Sequence, residues 1–189
     1  MGENAADRRI RKSKDRIKRA LIALLLKKDL KDITVSELTE LADINRGTFY
    51  LHYRDVVELF REIEEEMVEE FSRHIVKYKN YSAFLRTPVL GDIFQYVAMN
   101  GDICRALLRS RESTFISRIF ELSRPGSAEE FQRYYKCWNR DYCDYYYDFI
   151  CYGTFAMLRR WLETGMKENV EQVTLMVEKM ISNCIENIT

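Results

Sequence analysis

Residues Arg46-Gly47-Thr48-Phe49-Tyr50-Leu51-His52-Tyr53 put a guanidinium, a hydroxyl, two phenols and an imidazole into two helical turns. At about 100° per residue, Phe49 and Tyr53 fall on one side, where Leu38, Leu41 and Ile44 can meet them. Gly47, Thr48 and Leu51 point the other way, Tyr50 and His52 flank them, and Arg46 stands at the N-terminal end. The outer face is thus small in the middle and rich in donors at its edges. Such a face fits the major groove of double-stranded DNA. Gly47 lets the backbone approach closely, and Thr48 and Leu51 suit base edges or a thymine methyl. Tyr50, His52 and the preceding Thr34 can donate to phosphates, and Arg46 can take a phosphate or a guanine edge. The alternative is a core Tyr50 and a merely solvated His52; the set as a whole favours DNA.

Several helices must position this face. A first helix is expected over about 8–28, where Ile17, Ala20, Leu21, Leu24 and Leu25 form one apolar stripe. Thr34-Val35-Ser36-Glu37 reads as a capping box that opens a short helix to Ala42. Asn45 caps the next, about 46–52. Three short helices with a link of about three residues between the second and third have helix-turn-helix spacing. Asp55 and Glu58 open a long helix, about 56–79, with an apolar stripe at Phe60, Ile63, Met67, Phe71, Ile75 and Tyr78. Its other face carries Glu62, Glu64, Glu65, Glu66, Glu69 and Glu70, and those at 64–66 and 69–70 are read as a solvated face rather than a carboxylate pair. Further helices are expected near 88–99, 101–109, 113–123, 128–139, 141–164 and 168–187. No alternating strand pattern has turn chemistry on both sides, so the fold class is all-α.

Formal net charge is zero, but its distribution is uneven. Arg8, Arg9, Arg11, Lys12, Lys14, Arg16, Lys18, Arg19, Lys27 and Lys28 face a single acid, Asp15, within residues 8–28. That head is either an electrostatic footprint for nucleic acid or a solvated helix face. The cysteines, Cys104, Cys137, Cys143, Cys151 and Cys184, are odd in number and lack CxxC spacing. They suit free thiols in a reducing cytoplasm. No apolar run is long enough to span a membrane. The two histidines, His52 and His74, have no neighbouring Cys, Asp or His in a catalytic or zinc arrangement. An enzyme, a metal centre and a bound cofactor are therefore not expected.

The run from Thr34-Val35-Ser36-Glu37-Leu38 through Ala42-Asp43-Ile44-Asn45-Arg46-Gly47-Thr48-Phe49-Tyr50-Leu51-His52-Tyr53 resembles the DNA-binding domain of the TetR family of bacterial repressors. The resemblance spans about residues 10–60. It implies a homodimer of about nine helices per chain, with a variable C-terminal domain that dimerises and binds a small-molecule effector. It places Thr34, Arg46, Thr48, Tyr50 and His52 at DNA-contacting positions. It also divides the chain into a helix-turn-helix domain, 1–55, and a ligand-binding and dimerisation domain, 56–189. Two positions depart from the family pattern. Asp43 stands where Gly is common, and Val56 stands where a phosphate-binding Lys is usual, with Arg54 as a substitute nearby.

The stretch from Phe149 to Met166 is similar to the dimerisation helix of one large subgroup. Gly153, Thr154 and Ala156 are small enough for close helix crossing. The expected interface is Gly153, Met157, Trp161, Val173, Val177, Met180, Ile181 and Cys184; the alternative is that both helices cover their own core. A two-fold dimer reads a palindrome. The aromatic middle of the chain supplies candidate effector contacts, Phe94, Phe115, Trp138, Tyr142, Tyr146 and Phe149, since tyrosine joins apolar area to a polar tip. Such a set also serves as plain core. The reading is a sequence-specific regulator, a repressor that an effector releases by changing the tilt of the helix from Val56. The rival is a regulator-like interaction protein or coactivator that binds a partner protein and little DNA.

Overall fold

The computed structural model describes residues 5–76, 87–122 and 140–186. Among them are nine α-helices and no strand. They are α1 (Ala5–Leu25), α2 (Val35–Leu41), α3 (Arg46–Tyr50), α4 (Val56–Val76), α5 (Thr87–Met99), α6 (Gly101–Arg109), α7 (115–122), α8 (Arg140–Glu163) and α9 (Val170–Glu186), with a one-turn 3-10 helix at Leu30–Asp32. The all-α expectation holds, with ends shifted by a few residues. The expected helix at 128–139, the breaks at 124–127, Tyr78 and Trp138 lie outside the described residues.

Packing divides the chain into two compact units. Unit 1 is residues 1–67 with 102–114, and unit 2 is 68–101 with 115–189. The first packing unit is therefore larger than the helix-turn-helix segment 1–55. It takes in the first half of α4 and nearly all of α6. Its core includes Ile17, Leu21, Leu24 and Leu25 of α1, Leu38 of α2, Phe49 of α3, Leu59, Phe60 and Ile63 of α4, and Leu107 of α6. The expected stripes of α1 and α4 are the buried ones. Arg109 of α6 donates from its guanidinium to the Leu26 carbonyl, one of the acceptors left open at the end of α1.

In unit 2, α9 packs on α5 and on α8. The Phe94 ring of α5 meets the Trp161 ring of α8 edge-on at 5.5 Å. Phe71 is edge-on to both Tyr96 (5.0 Å) and Phe115 (5.2 Å), the offset geometry that aromatic quadrupoles favour. The turn from α8 to α9 follows from local rules. Gly165 is left-handed at φ 84°. Met166 N–H bonds back to the Trp161 carbonyl (2.8 Å) and Gly165 N–H to Leu162 (3.2 Å), a Schellman closure. Asn169 and Gln172 then cap α9 reciprocally, at 2.9 and 3.1 Å.

Candidate nucleic-acid interface

The link between α2 and α3 is built by the same device as the end of α8. Asp43 sits at φ 51°, and the next N–H, of Ile44, returns to the Thr39 carbonyl at 3.0 Å. Asp43 N–H returns to Glu40 at 3.1 Å. This C-cap position favours Gly because a Cβ crowds the left-handed backbone. Asp43 meets that cost with a partner that Gly could not have: its carboxylate takes the Arg16 guanidinium of α1. α3 then starts on Asn45, whose Oδ1 accepts from both the N–H (2.7 Å) and the hydroxyl (2.9 Å) of Thr48. At the start of α2, Thr34 Oγ1 accepts from Glu37 N–H at 3.3 Å. The expected reciprocal half of that box is absent, because the Glu37 carboxylate pairs with Lys28 instead.

Within α3 and its exit the expected two faces separate cleanly. Phe49 and Tyr53 are 0% and 2% exposed, whereas Tyr50 and Leu51 are 58% and 81% exposed. Arg46, Gly47 and Thr34 are exposed, and Thr48 and His52 half-buried. The candidate DNA contacts therefore lie at or near the surface, and the anchors lie beneath them. Leu41, expected among the anchors, is 52% exposed, so Leu38 alone of that pair enters the core. A Cβ added at Gly47 would approach Asn45 Oδ1 to 3.3 Å, so a side chain there would press on the cap oxygen. Val56 is buried, which explains why no cation stands there. Arg54 is exposed and pairs with Asp55 at 3.2 Å.

The acidic side of α4 is exposed at Glu65, Glu66 and Glu69, as expected of a solvated face, but not at Glu64. Glu62 accepts from Tyr53 Oη (3.0 Å) and pairs with Lys14 (3.3 Å) and Lys18 (2.9 Å); Lys18 also reaches Glu66 at 2.5 Å. Burial pushes the Tyr53 phenol well above its ordinary range, and the Glu62 bond and charge add to it, so Tyr53 stays a donor. Burial alone would raise Glu62 and lower Lys18. Hydrogen bonds and charges outweigh it: those of Lys18, Tyr53 and Lys14 leave Glu62 lowered, and those of Glu66 and Glu62 leave Lys18 raised. Glu64 is only 6% exposed. Its carboxylate accepts from Ser113 Oγ (2.7 Å), Thr114 N–H (2.7 Å) and Thr114 Oγ1 (3.1 Å), tying α4 to the segment before α7. Nothing near Glu64 in the sequence signals this, since its partners are about fifty positions away.

The described residues expected to bind an effector differ in burial. Phe94 and Phe115 are fully packed, Tyr146 is half-buried and Phe149 is 64% exposed. Trp138 and the side chain of Tyr142 lie outside the described residues. In that part of α8 it is Tyr147 that enters the core. Of the expected interface set, Trp161, Val173, Val177 and Ile181 are buried within the single chain. Gly153, Met157 and Cys184 are half-buried and Met180 is exposed. The open apolar stripe of α8 is Tyr145, Phe149 and Tyr152, with Met176 and Met180 open on α9. Recesses are formed by the described residues of unit 2. One of about 510 Å³ lies between α8 and α9, with Met157, Arg160 and Met176 among its walls. Another, of about 520 Å³, is lined by Glu70, His74, Asp92, Gln95, Tyr96, Met99 and Asn100.

Known proteins bear out the regulatory class. Residues 87–183 match the TetR-type family model of the Transcriptional regulator C-terminal region. A solved TetR transcriptional regulator from Streptococcus agalactiae 2603V is 25% identical, with a TM-score of 0.62 over 93% of this chain and 97% of that one. The fatty acid degradation regulator FadR of Bacillus halodurans has the same fold at 13% identity, with a TM-score of 0.64 over 96% of each chain. A 53-residue stretch is 40% identical to YxbF, an uncharacterized HTH-type transcriptional regulator of Bacillus subtilis (strain 168). That match covers 28% of this chain and 14% of the length of YxbF. No helix among the described residues is long and apolar enough to cross a membrane. By its matching C-terminal region and its fold, the chain is a transcriptional regulator rather than an enzyme, and it belongs to the TetR family.

Proposed function

We propose that the chain acts in the cytoplasm as a homodimeric repressor that reads a palindromic operator through α3 and leaves it when a small molecule binds. The observation that carries this is the outer face of α3. Tyr50 and Leu51 remain open to solvent while Phe49 and Tyr53 beneath them are sealed, so the fold holds the Tyr50 phenol and an apolar Leu51 outward, and no hydrogen bond to that phenol is made among the described residues. Contacts to DNA come from Thr34, Arg46, Gly47, Thr48, Tyr50, Leu51 and His52. One helix of five residues reads few bases, and a two-fold dimer doubles that reading. The subunits meet on α8 and α9 through Phe149, Tyr152, Gly153, Met157, Met176, Met180 and Cys184, the surface those helices leave uncovered. In function, residues 1–55 read DNA and 56–189 dimerise and sense the effector. The recess at Glu70, His74, Asp92 and Tyr96 offers that effector carboxylates beside aromatic rings. Since α4 runs from the DNA-reading unit into the sensing unit, an effector that prefers one position of α4 shifts DNA affinity by its differential affinity.

The interaction-protein reading has an observation of its own. Val56 is buried where the family offers a cation, and Lys14, Arg16, Lys18 and Lys28 are all paired within the unit. The fold is also shared with the dihydroxyacetone kinase operon activator DhaS, at 18% identity. Salt titration separates the readings. Contact with several phosphates makes log affinity fall linearly with log salt at about 0.9 per phosphate, whereas a protein partner gives no such slope on DNA.

A further inference from the structure

Six of the eight cations of α1 fall into two groups. Lys14, Arg16 and Lys18 are neutralised by Glu62, Asp43 and Glu66. Arg8, Arg9 and Lys12 are exposed and have no ion pair among the described residues. Arg16 of the paired group supplies a direction against which the exposed group can be placed. Lys14 stands over the Tyr53 ring at 5.2 Å, just past the end of α3. Arg16 reaches Asp43 in the turn just before α3. Residues 14 and 16 of α1 therefore lie beside the two ends of the recognition helix. At about 100° per residue, Arg9 is roughly 20° and Lys12 roughly 40° from the direction of Arg16. With a rise of 1.5 Å per residue they stand about 10 Å and about 6 Å farther along the axis. Ile17 is the first buried residue of α1 among the described residues, so this N-terminal half is not held in the core.

We propose that Arg9 and Lys12, with Arg8 at the edge, form a second DNA surface that grips the phosphates flanking each half-site. This rests on the reading of α3 as the operator-reading helix. The stripe faces the side on which the α2–α3 turn lies and continues past it, so duplex seated on α3 runs on toward these three cations. The contact is to backbone charge and carries no sequence information. It lengthens the bound site without lengthening the recognised palindrome, and it supplies the cations that Val56 does not.

The test uses full-length protein and a palindrome selected from a random library. One duplex is trimmed to the palindrome and a second is extended by one helical turn, about 10 base pairs, on each side. The variant is R8Q/R9Q/K12Q, which keeps a good helix former at exposed positions; Lys179→Gln, an exposed cation on α9, is the control for net charge. Wild type is expected to prefer the extended duplex. The triple variant is expected to lose that preference, with a salt slope shallower by about 2 to 3 per half-site bound and unchanged affinity for the trimmed duplex. If the variant keeps the preference and the slope, or Lys179→Gln costs as much per charge, the stripe is overturned and the α3 reading stands. If wild type binds neither duplex at low salt, both fall together.

Discussion

α3 and α8 both leave aromatic rings in water, on surfaces of different build. α3 is one short turn and a half, pinned by the Asn45 cap and by Phe49 and Tyr53, and its open ring, Tyr50, carries a hydroxyl among other donors. α8 is a long helix whose open rings, Tyr145, Phe149 and Tyr152, recur along one stripe beside the open methionines of α9. A wet, charged partner needs few donors at fixed positions; a second protein surface needs contiguous apolar area. The contrast teaches that exposure alone does not name a partner. What surrounds the exposed ring does.

The sharpest break in the contrast lies between two adjacent residues. Phe49→Ala is expected to cost about 3–5 kcal/mol by emptying the site beneath α3, while Tyr50→Ala should change stability by less than about 0.5 kcal/mol and yet weaken binding to a selected duplex. Urea denaturation with parallel DNA titrations checks both. On α8, Phe149→Glu places a charge in the apolar stripe. Sedimentation should show the dimer weakened by about 2–3 kcal/mol, the worth of one large buried side chain, with the helical signal intact. A monomeric wild type would remove that half of the comparison.

Smaller effects follow within unit 1. Glu64→Gln turns an amide donor toward Ser113 and Thr114 and should cost about 1–3 kcal/mol, whereas Glu69→Gln, at an exposed position of the same helix, should cost almost nothing; thermal melts distinguish a built clasp from a solvated carboxylate. Glu62 is lowered below its ordinary value of 4.5, so its stabilisation is full above that value and is lost as pH falls through the lower folded one. Glu62→Gln should flatten that stretch of the acid titration. The least effect is expected from Asp43→Gly. It relieves a left-handed residue but releases Arg16, so stability should move by less than about 1 kcal/mol while the freed guanidinium steepens the salt dependence on DNA.

What could be read in the sequence was what local rules decide. The caps at Thr34 and Asn45, the stripes of α1 and α4, and the opposition of Phe49 and Tyr50 all follow from spacing of three, four or seven residues. Contacts between distant segments carried no such signal. Glu64 looked like its acidic neighbours until Ser113 and Thr114 folded onto it, and Asp43 looked like a poor Gly until Arg16 arrived from α1. α9 shows how periodicity finds a seam without naming what covers it. Val173, Val177 and Ile181 form a seam suited to another helix, and the helices they meet are α5 and α8 of their own chain. Leu175, Met176 and Met180, on other sides of the helix, are left outside.

The central claim is that the open face of α3 reads DNA, and selection of bound duplexes from a random library tests it most directly, run with wild type, Arg46→Ala and Tyr50→Ala. The account predicts an enriched palindrome with half-sites near one helical turn apart, or a multiple, for wild type, and its loss in both variants while their fold is kept. No enrichment at low salt, or the same palindrome bound equally well by all three proteins, would contradict it.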